Sequence, residues 1–350
     1  MKDLNLKFDF NDILITPDTL SPINSRSEVN PKIDGFFPLM TAPMDTVISL
    51  SNSKWFSENG IIPVLPRYLE KTFHFVQEED LTDSWLSYDL NEFKEFVNTD
   101  KELKHSHILI DIANGHMKSL LELAKRFKEK YPDKFLMIGN IANPSTFTKF
   151  ANVGVDYIRI GIGNGAGCLT TEQTGIGFPM ASLIQECYKC KKSFGYNVKI
   201  VADGGMKKYS DIIKALALGA DYVMCGSIFN KALQSHSPVF VNNGGIISNK
   251  EISPLSPEAM QLFNSGVTLM KMFRGMSTKE VQMKWNNKVP KTSEGITEYR
   301  KVEYTIEGWV ENFEHYLRSA MSYTGSSTLE EFKESNIIHI TQNAYQRFNK

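Results

Sequence analysis

Cysteine is scarce: Cys168, Cys187, Cys190 and Cys225 are the only four in 350 residues. That is too few for a disulfide framework and suits a reducing compartment. Excess charge of either sign is missing too. Lysine plus arginine number 39 against 40 aspartates and glutamates, a formal net charge of −1, which excludes a general polyanion binder and leads us to expect neither a nucleic-acid nor a membrane partner. No apolar run approaches the roughly 18 residues of a membrane span. The opening stretch MKDLNLKFDFNDIL scatters charges among its apolar residues and lacks the unbroken apolar core of a secretory signal, so a cytoplasmic location is expected. There is no internal repeat, no low-complexity tract and no HExxH among the seven histidines. Cys187 and Cys190 have metal-like spacing but no second pair, and a helix after Pro179 would place them at i, i+3 by accident.

What is present is a 41% hydrophobic chain in which short apolar or β-branched runs recur at 36–42, 61–65, 84–90, 107–113, 135–141, 156–162, 198–204 and 221–227. Between several of them lie helix-like stretches. In 117–131 the apolar residues fall at helical spacing, and 210–220 opens with Ser210 as a candidate N-cap and closes at Gly219. Alternating strands and helices predict a parallel α/β fold, and eight such strands favour a (β/α)8 TIM barrel over an open doubly wound sheet. The chain reads as a single barrel domain over 1–350, with residues 234–300 as a flap and insertion after the eighth strand and 307–325 as a closing helix. In such a barrel ligands gather at the C-terminal strand ends, with phosphate commonly at the loops after strands 7 and 8. Those loops are Asp203-Gly204-Gly205 and Gly226-Ser227.

The most informative segment is 161-GIGNGAGCLTTEQTGIGFP-179, a glycine-rich stretch around one cysteine directly after a strand. Glycine tolerates positive φ and close ligand approach. A dinucleotide fingerprint fits only loosely, and Cys168-Leu169-Thr170 gives no clear helix start. Buried packing cysteines rarely occupy such loops. The segment therefore reads as a loop presenting Cys168 as a nucleophile, whose thiolate attacks an electrophilic carbon and splits one hard step into two.

GIGNGAGC-x-T, 202-ADGG-205, 224-MCGS-227, 274-RGMS-277, 42-APMDTV-47 and 25-SRSEV-29, in register over nearly the whole chain, resemble the IMP dehydrogenase/GMP reductase family. That family shares the (β/α)8 barrel. The resemblance implies that Cys168 attacks C2 of a purine nucleotide to form a thioimidate-type adduct, and that Thr170 matches the catalytic threonine. It also implies that Asp203 binds the ribose hydroxyls and that Gly204, Gly205, Gly226 and Ser227 hold the 5′-phosphate. Arg274, Gly275, Met276 and Ser277 would line the nucleotide site, with Met44 beneath the base. Asp111, Asn114 and Gly115 would fall on the nicotinamide side. The carbonyls of Gly163, Gly165 and Cys168 correspond to a monovalent-cation site, usually potassium, and relatives form homotetramers.

Both family reactions share the cysteine adduct, so the flap has to discriminate between them. Dehydrogenases activate water with an Arg-Tyr pair there, whereas the segment between RGMS and 294-EGI-296 contains neither Arg nor Tyr. The stretch 292-TSEG-295 resembles the reductase, in which Glu294 would work with Thr170 to protonate the leaving amine. The 111-DIANG-115 motif and Thr174-Gly175 also match the reductase. The loop from Pro66 to Ser84 leaves no room for the paired CBS modules that many dehydrogenases insert. Departures from the pattern are Leu169 and Glu172 near the cysteine, Ala166 in place of a phosphate-contacting serine, and Pro66-Arg67 in place of His-Lys. The sequence thus points to NADPH-dependent reductive deamination of GMP. The alternatives are an IMP dehydrogenase without CBS modules and a non-catalytic purine-nucleotide-binding paralogue.

Overall fold

The computed structural model describes residues 6–67, 84–99, 103, 105–279, 283 and 295–348. Its strands, in chain order, are β1 (Ile13–Ile15), β2 (Leu39–Thr41), β3 (Val64–Leu65), β4 (Trp85–Tyr88), β5 (His107–Asp111), β6 (Phe135–Ile141), β7 (Tyr157–Ile160), β8 (Lys199–Asp203), β9 (Tyr222–Cys225), β10 (Val239–Asn243), β11 (Ile246–Ile247), β12 (Leu269–Arg274), β13 (Thr297–Lys301) and β14 (Ile337–His339). All eight runs expected to be strands appear in one parallel sheet, ordered β2-β9-β8-β7-β6-β5-β4-β3. The ends of that order meet: Thr41 N–H donates to the Ile62 carbonyl and Ile62 N–H to that of Leu39, which closes a (β/α)8 barrel.

Alternation along the strands explains why they read as unbroken apolar runs. Met40, Val64, Trp85, Leu109, Met137, Val201, Tyr222 and Met224 fill the barrel interior. Their chain neighbours Ile108, Ile110, Leu136, Ile138, Ile200 and Val223 pack outward under the helices. Both faces are buried, so both must be apolar.

The helices follow their local signals. Lys118–Lys130 buries Leu120, Leu123, Ala124 and Phe127 at three- and four-residue spacing. Helix Leu90–Asn98 starts with a capping box between Asp89 and Glu92, and helix Met180–Phe194 ends at Gly195 in the left-handed conformation (φ 67°). One start differs from expectation. The helix read from Ser210 begins at Tyr209, because the Asp211 carboxylate accepts the Lys207 and Lys208 N–H groups and does the capping from inside the first turn.

The polar stretch after β9 carries a four-stranded antiparallel sheet, β11-β10-β12-β13, over a small core of Leu233, Val239, Ile252, Ala259, Leu269 and Val302. Strand β12 delivers residues 274–277 to the barrel mouth, and β13 starts just after the chain returns at Gly295. The closing helix spans Ile306–Tyr323. Strands β1 and β14 pair antiparallel and tie the chain's two ends together. Among the described residues no helix is long and apolar enough to cross a membrane.

Candidate active site

The two-residue period that fills the barrel also builds its top layer. Two positions beyond Leu109, Tyr157 and Val201, on the same inward face, stand Asp111, Arg159 and Asp203. Arg159 Nη1 donates to Asp111 Oδ1 at 2.6 Å and its Nε donates to Asp203 Oδ2 at 2.9 Å. Arg67 Nε stands 2.9 Å from Asp111 Oδ2. Asn140 Nδ2 donates to Asp203 Oδ2 and to the Gly161 carbonyl, both at 2.8 Å. Burial disfavours the Arg159 charge, but Asp203 and Asp111 more than offset it and hold the guanidinium ionised. The sequence reading did not single out Arg159 or Asn140. The available signal was an arginine at an inward position of an otherwise apolar strand.

Above this layer lies a chamber lined by Met44, Asn164–Cys168, Asp203–Lys207, Gly226, Ser227 and Gly275–Ser277. A second chamber, lined by Arg67, Ile112, Ala113, Asn140, Gly161–Gly163 and Thr170, opens beside it. Cys168, Asp111, Arg159 and Asp203 belong to both walls. Cys168 therefore sits where the two spaces meet.

The cysteine loop is held by contacts that only small residues allow. A Cβ on Gly161 (φ 129°) would lie 2.3 Å from the Asp203 carbonyl oxygen, and one on Gly204 (φ 87°) 2.9 Å from the Gly165 nitrogen. The Cys168 N–H donates to the Gly165 carbonyl at 3.0 Å, and its thiol donates to Thr170 Oγ1 at 3.2 Å. A short helix does start here, at Thr170, and runs to Thr174. The flap's return closes over the loop: Cys168 forms an antiparallel bridge with Gly295, and Ile296 N–H donates to the Gly167 carbonyl.

The structure thus gathers Cys168, Met44, Asp203, Gly204, Gly205, Gly226, Ser227, Gly275, Met276 and Ser277 around the first chamber, with Thr170 on the wall of the second beside Cys168. Glu294 lies outside the described residues, as do 68–83 of the loop after β3, but its neighbour Gly295 is the residue bridged to Cys168. Arg274 turns away and pairs with Asp45 behind the wall. Asn114 and Gly115 line neither chamber. Asn114 accepts the His116 N–H in a local turn. Gly115 packs so closely on β6 that a Cβ would lie 2.8 Å from the Asn140 carbonyl oxygen. The Gly165 carbonyl accepts the Cys168 N–H and keeps one lone pair beyond that bond; Gly163 lines the second chamber with Cys168. Cys187 is buried on the core face of its helix. Among the described residues no group of three or more His, Cys, Asp or Glu could hold a metal ion.

A barrel mouth with a glycine-cradled cysteine between two chambers defines a small-molecule site of the kind enzymes use. Residues 91–348 match the IMP dehydrogenase / GMP reductase domain, and the chain belongs to that family of oxidoreductases. It is 28% identical to the GMP reductase of Buchnera aphidicola subsp. Schizaphis graminum, covering 99% of this chain and 97% of the relative. It is likewise 28% identical to the GMP reductase of Vibrio parahaemolyticus over 99% and 98%, and 27% identical to human GMP reductase 1 over 97% of each.

Proposed function

We propose that this protein catalyses the NADPH-dependent reductive deamination of GMP to IMP and ammonia through a covalent adduct on Cys168. The observation that carries the reading is the placement of Cys168 at the junction of the chambers, its thiol bonded to Thr170 and its backbone bridged to the residue after Glu294.

Gly204, Gly205, Gly226 and Ser227 hold the 5′-phosphate with backbone N–H groups and a hydroxyl, an arrangement that suits an anion without many lysines. Asp203 takes the ribose hydroxyls. Met44 supports the base, while Gly275, Met276 and Ser277 close over it. Arg274, paired with Asp45, braces that wall. The second chamber suits a nicotinamide, with Ile112, Ala113 and Ile162 as an apolar wall and Asn140 and Thr170 as polar contacts. Asp111 anchors its charged side, and Asn114 and Gly115 shape the loop behind.

Sulfur adds to C2 of the guanine, and the C2–N bond to the exocyclic amine breaks. The proton given up by the thiol travels through Thr170 and Glu294 to the departing amine, which leaves as ammonia. The nicotinamide cofactor, when bound, supplies the hydride that reduces C2. Cys168 then departs as thiolate, releasing IMP, and takes a proton from solvent to regenerate the starting thiol. The flap segment between Ser277 and Glu294, which lacks both Arg and Tyr, offers no pair to activate water for the dehydrogenase reaction. The family resemblance adds potassium at the carbonyls of Gly163, Gly165 and Cys168, and a cytoplasmic homotetramer.

The test is nicotinamide absorbance in potassium buffer with GMP plus NADPH and, separately, IMP plus NAD, using Cys168→Ala as the blank. NADPH consumption with ammonia release, reduced on the order of 10³-fold or more in the variant, is the expected result. NADH production from IMP would move the assignment to the dehydrogenase. Nucleotide binding without turnover of either pair would make the chain a binding paralogue.

A further inference from the structure

The nucleotide chamber has walls from three distant parts of the chain: Met44 after β2, Ser227 after β9 and residues 275–277 after β12. Behind them lies a polar cluster that the proposed chemistry does not use. Lys271, on β12, is 0% exposed. Its Nζ donates to the carbonyls of Ala232 (3.2 Å), Leu233 (2.7 Å) and Ser235 (2.5 Å), and to Ser235 Oγ (2.7 Å). Asn230, equally buried, closes the helix that Ser227 opens. Its Nδ2 donates to the Thr46 carbonyl at 2.9 Å and to the Met272 carbonyl at 3.1 Å. Ser235 Oγ donates to the Asn230 carbonyl at 2.9 Å, and the Met272 N–H donates to Ser237 Oγ at 3.1 Å.

Among the described residues none of the acceptors of Lys271 carries a charge. Burial pushes its pKa well below the ordinary lysine value. A buried ammonium without a carboxylate is costly to desolvate, and an apolar side chain of similar length would fill the space at less cost. What the ammonium supplies is convergence: it draws the backbone of 232–235 onto β12, while Asn230 draws the loop bearing Met44 and the helix bearing Ser227 onto the same strand.

We infer that Lys271 and Asn230 are positioning residues that fix the three walls of the nucleotide chamber relative to one another, and so set affinity for the nucleotide more than for the dinucleotide, whose chamber shares only Met276 and Ser277 of those walls. This deepens the GMP reductase reading and rests on it for the identity of the two ligands.

The experiment compares wild type, Lys271→Met and Ser235→Ala by direct binding of GMP and of NADPH, and by amide hydrogen exchange of the ligand-free protein. Lys271→Met is expected to weaken GMP binding about tenfold, to leave NADPH binding within about twofold, and to speed exchange at 226–230 and 275–277 but not at Ile108–Ile110. Ser235→Ala, which removes one Lys271 acceptor and the bond to the Asn230 carbonyl, should weaken GMP binding about threefold in the same pattern, and it decides the matter alone if Lys271→Met does not fold. Equal loss of both ligands, exchange accelerated everywhere, or GMP affinity unchanged in a folded variant overturns the inference. Wild type that binds no GMP sinks the functional reading instead. The exchange pattern, which needs no ligand, then still confirms or overturns the positioning role.

Discussion

The barrel carries a buried ion cluster at each end, and the two are built differently. At the C-terminal mouth Arg67, Asp111, Arg159 and Asp203 alternate in sign across the top layer, and both carboxylates also line ligand space. At the opposite end Asp221, just before β9, takes Lys333 Nζ at 2.6 Å and Lys191 Nζ at 2.8 Å. Its Oδ2 also accepts the Ile200 N–H at 2.7 Å. These residues line neither chamber. The bottom cluster ties the segment after the closing helix to the barrel, so its electrostatics are spent on stability. The mouth cluster leaves carboxylates shared between the protein and whatever occupies the chambers. The contrast matches the division of labour in (β/α)8 barrels, with chemistry at the C-terminal strand ends and stability at the N-terminal ones.

Arg159→Met should break this comparison most severely. It removes the cation shared by two carboxylates, leaving Asp111 to Arg67 and Asp203 to Asn140, a loss of about 3 kcal/mol of stability, and it should weaken both ligands because Asp111 and Asp203 lose their common partner. Denaturant titration and the two binding constants check this; retained affinity in a destabilised protein would reduce Arg159 to a structural strut.

Asp221→Asn should cost less, about 2 kcal/mol near neutral pH, since an amide still accepts from the lysines, and the KM for GMP should stay unchanged. Burial pushes the Asp221 pKa up, but Lys333 and Lys191 more than reverse this and leave it below the ordinary carboxylate range. A carboxylate depressed in the folded state contributes stability that is fully present above its unfolded value of about 3.9 and is lost as pH falls through the lower folded value. The gap between wild type and Asp221→Asn should therefore be widest near neutrality and shrink at acid pH, in denaturation curves taken across that range. A gap independent of pH would refute the charge account.

Gly204→Ala has the smallest expected effect on stability, about 1–2 kcal/mol from forcing a side chain into a left-handed conformation, here at φ 87° and against the Gly165 backbone. It should raise the GMP dissociation constant about tenfold and leave NADPH binding alone, in contrast to Arg159→Met. Calorimetric titration with each ligand measures the difference.

The eight barrel strands were legible because burial on both faces leaves an apolar run that needs no partner to be recognised. The position of Cys168 was legible for a related reason: a side chain open to close approach sits in a loop of glycines, and such composition is visible in one dimension. Arg159, Asn140, Asn230 and Lys271 were not, because each has its meaning in a partner far along the chain, as with Asn230 and the Met272 carbonyl. Arg274 shows the same limit in reverse, since its place in 274-RGMS-277 suggested ligand contact, whereas folding sets it against Asp45, which precedes it by more than two hundred residues. The sheet of β10 to β13 escaped notice because its pairings are non-local and its strands sit within a stretch rich in polar residues.

By itself, then, the sequence determined the order of the barrel strands and the glycine-rich character of the cysteine loop, which follow from local sterics and the burial of both strand faces. Only the tertiary structure decided that Cys168 stands between two chambers, that one arginine serves two carboxylates, and that a buried lysine holds the carbonyls of 232–235 against β12. Those outcomes depend on distances between groups remote in the chain, and such distances exist only after the barrel has closed.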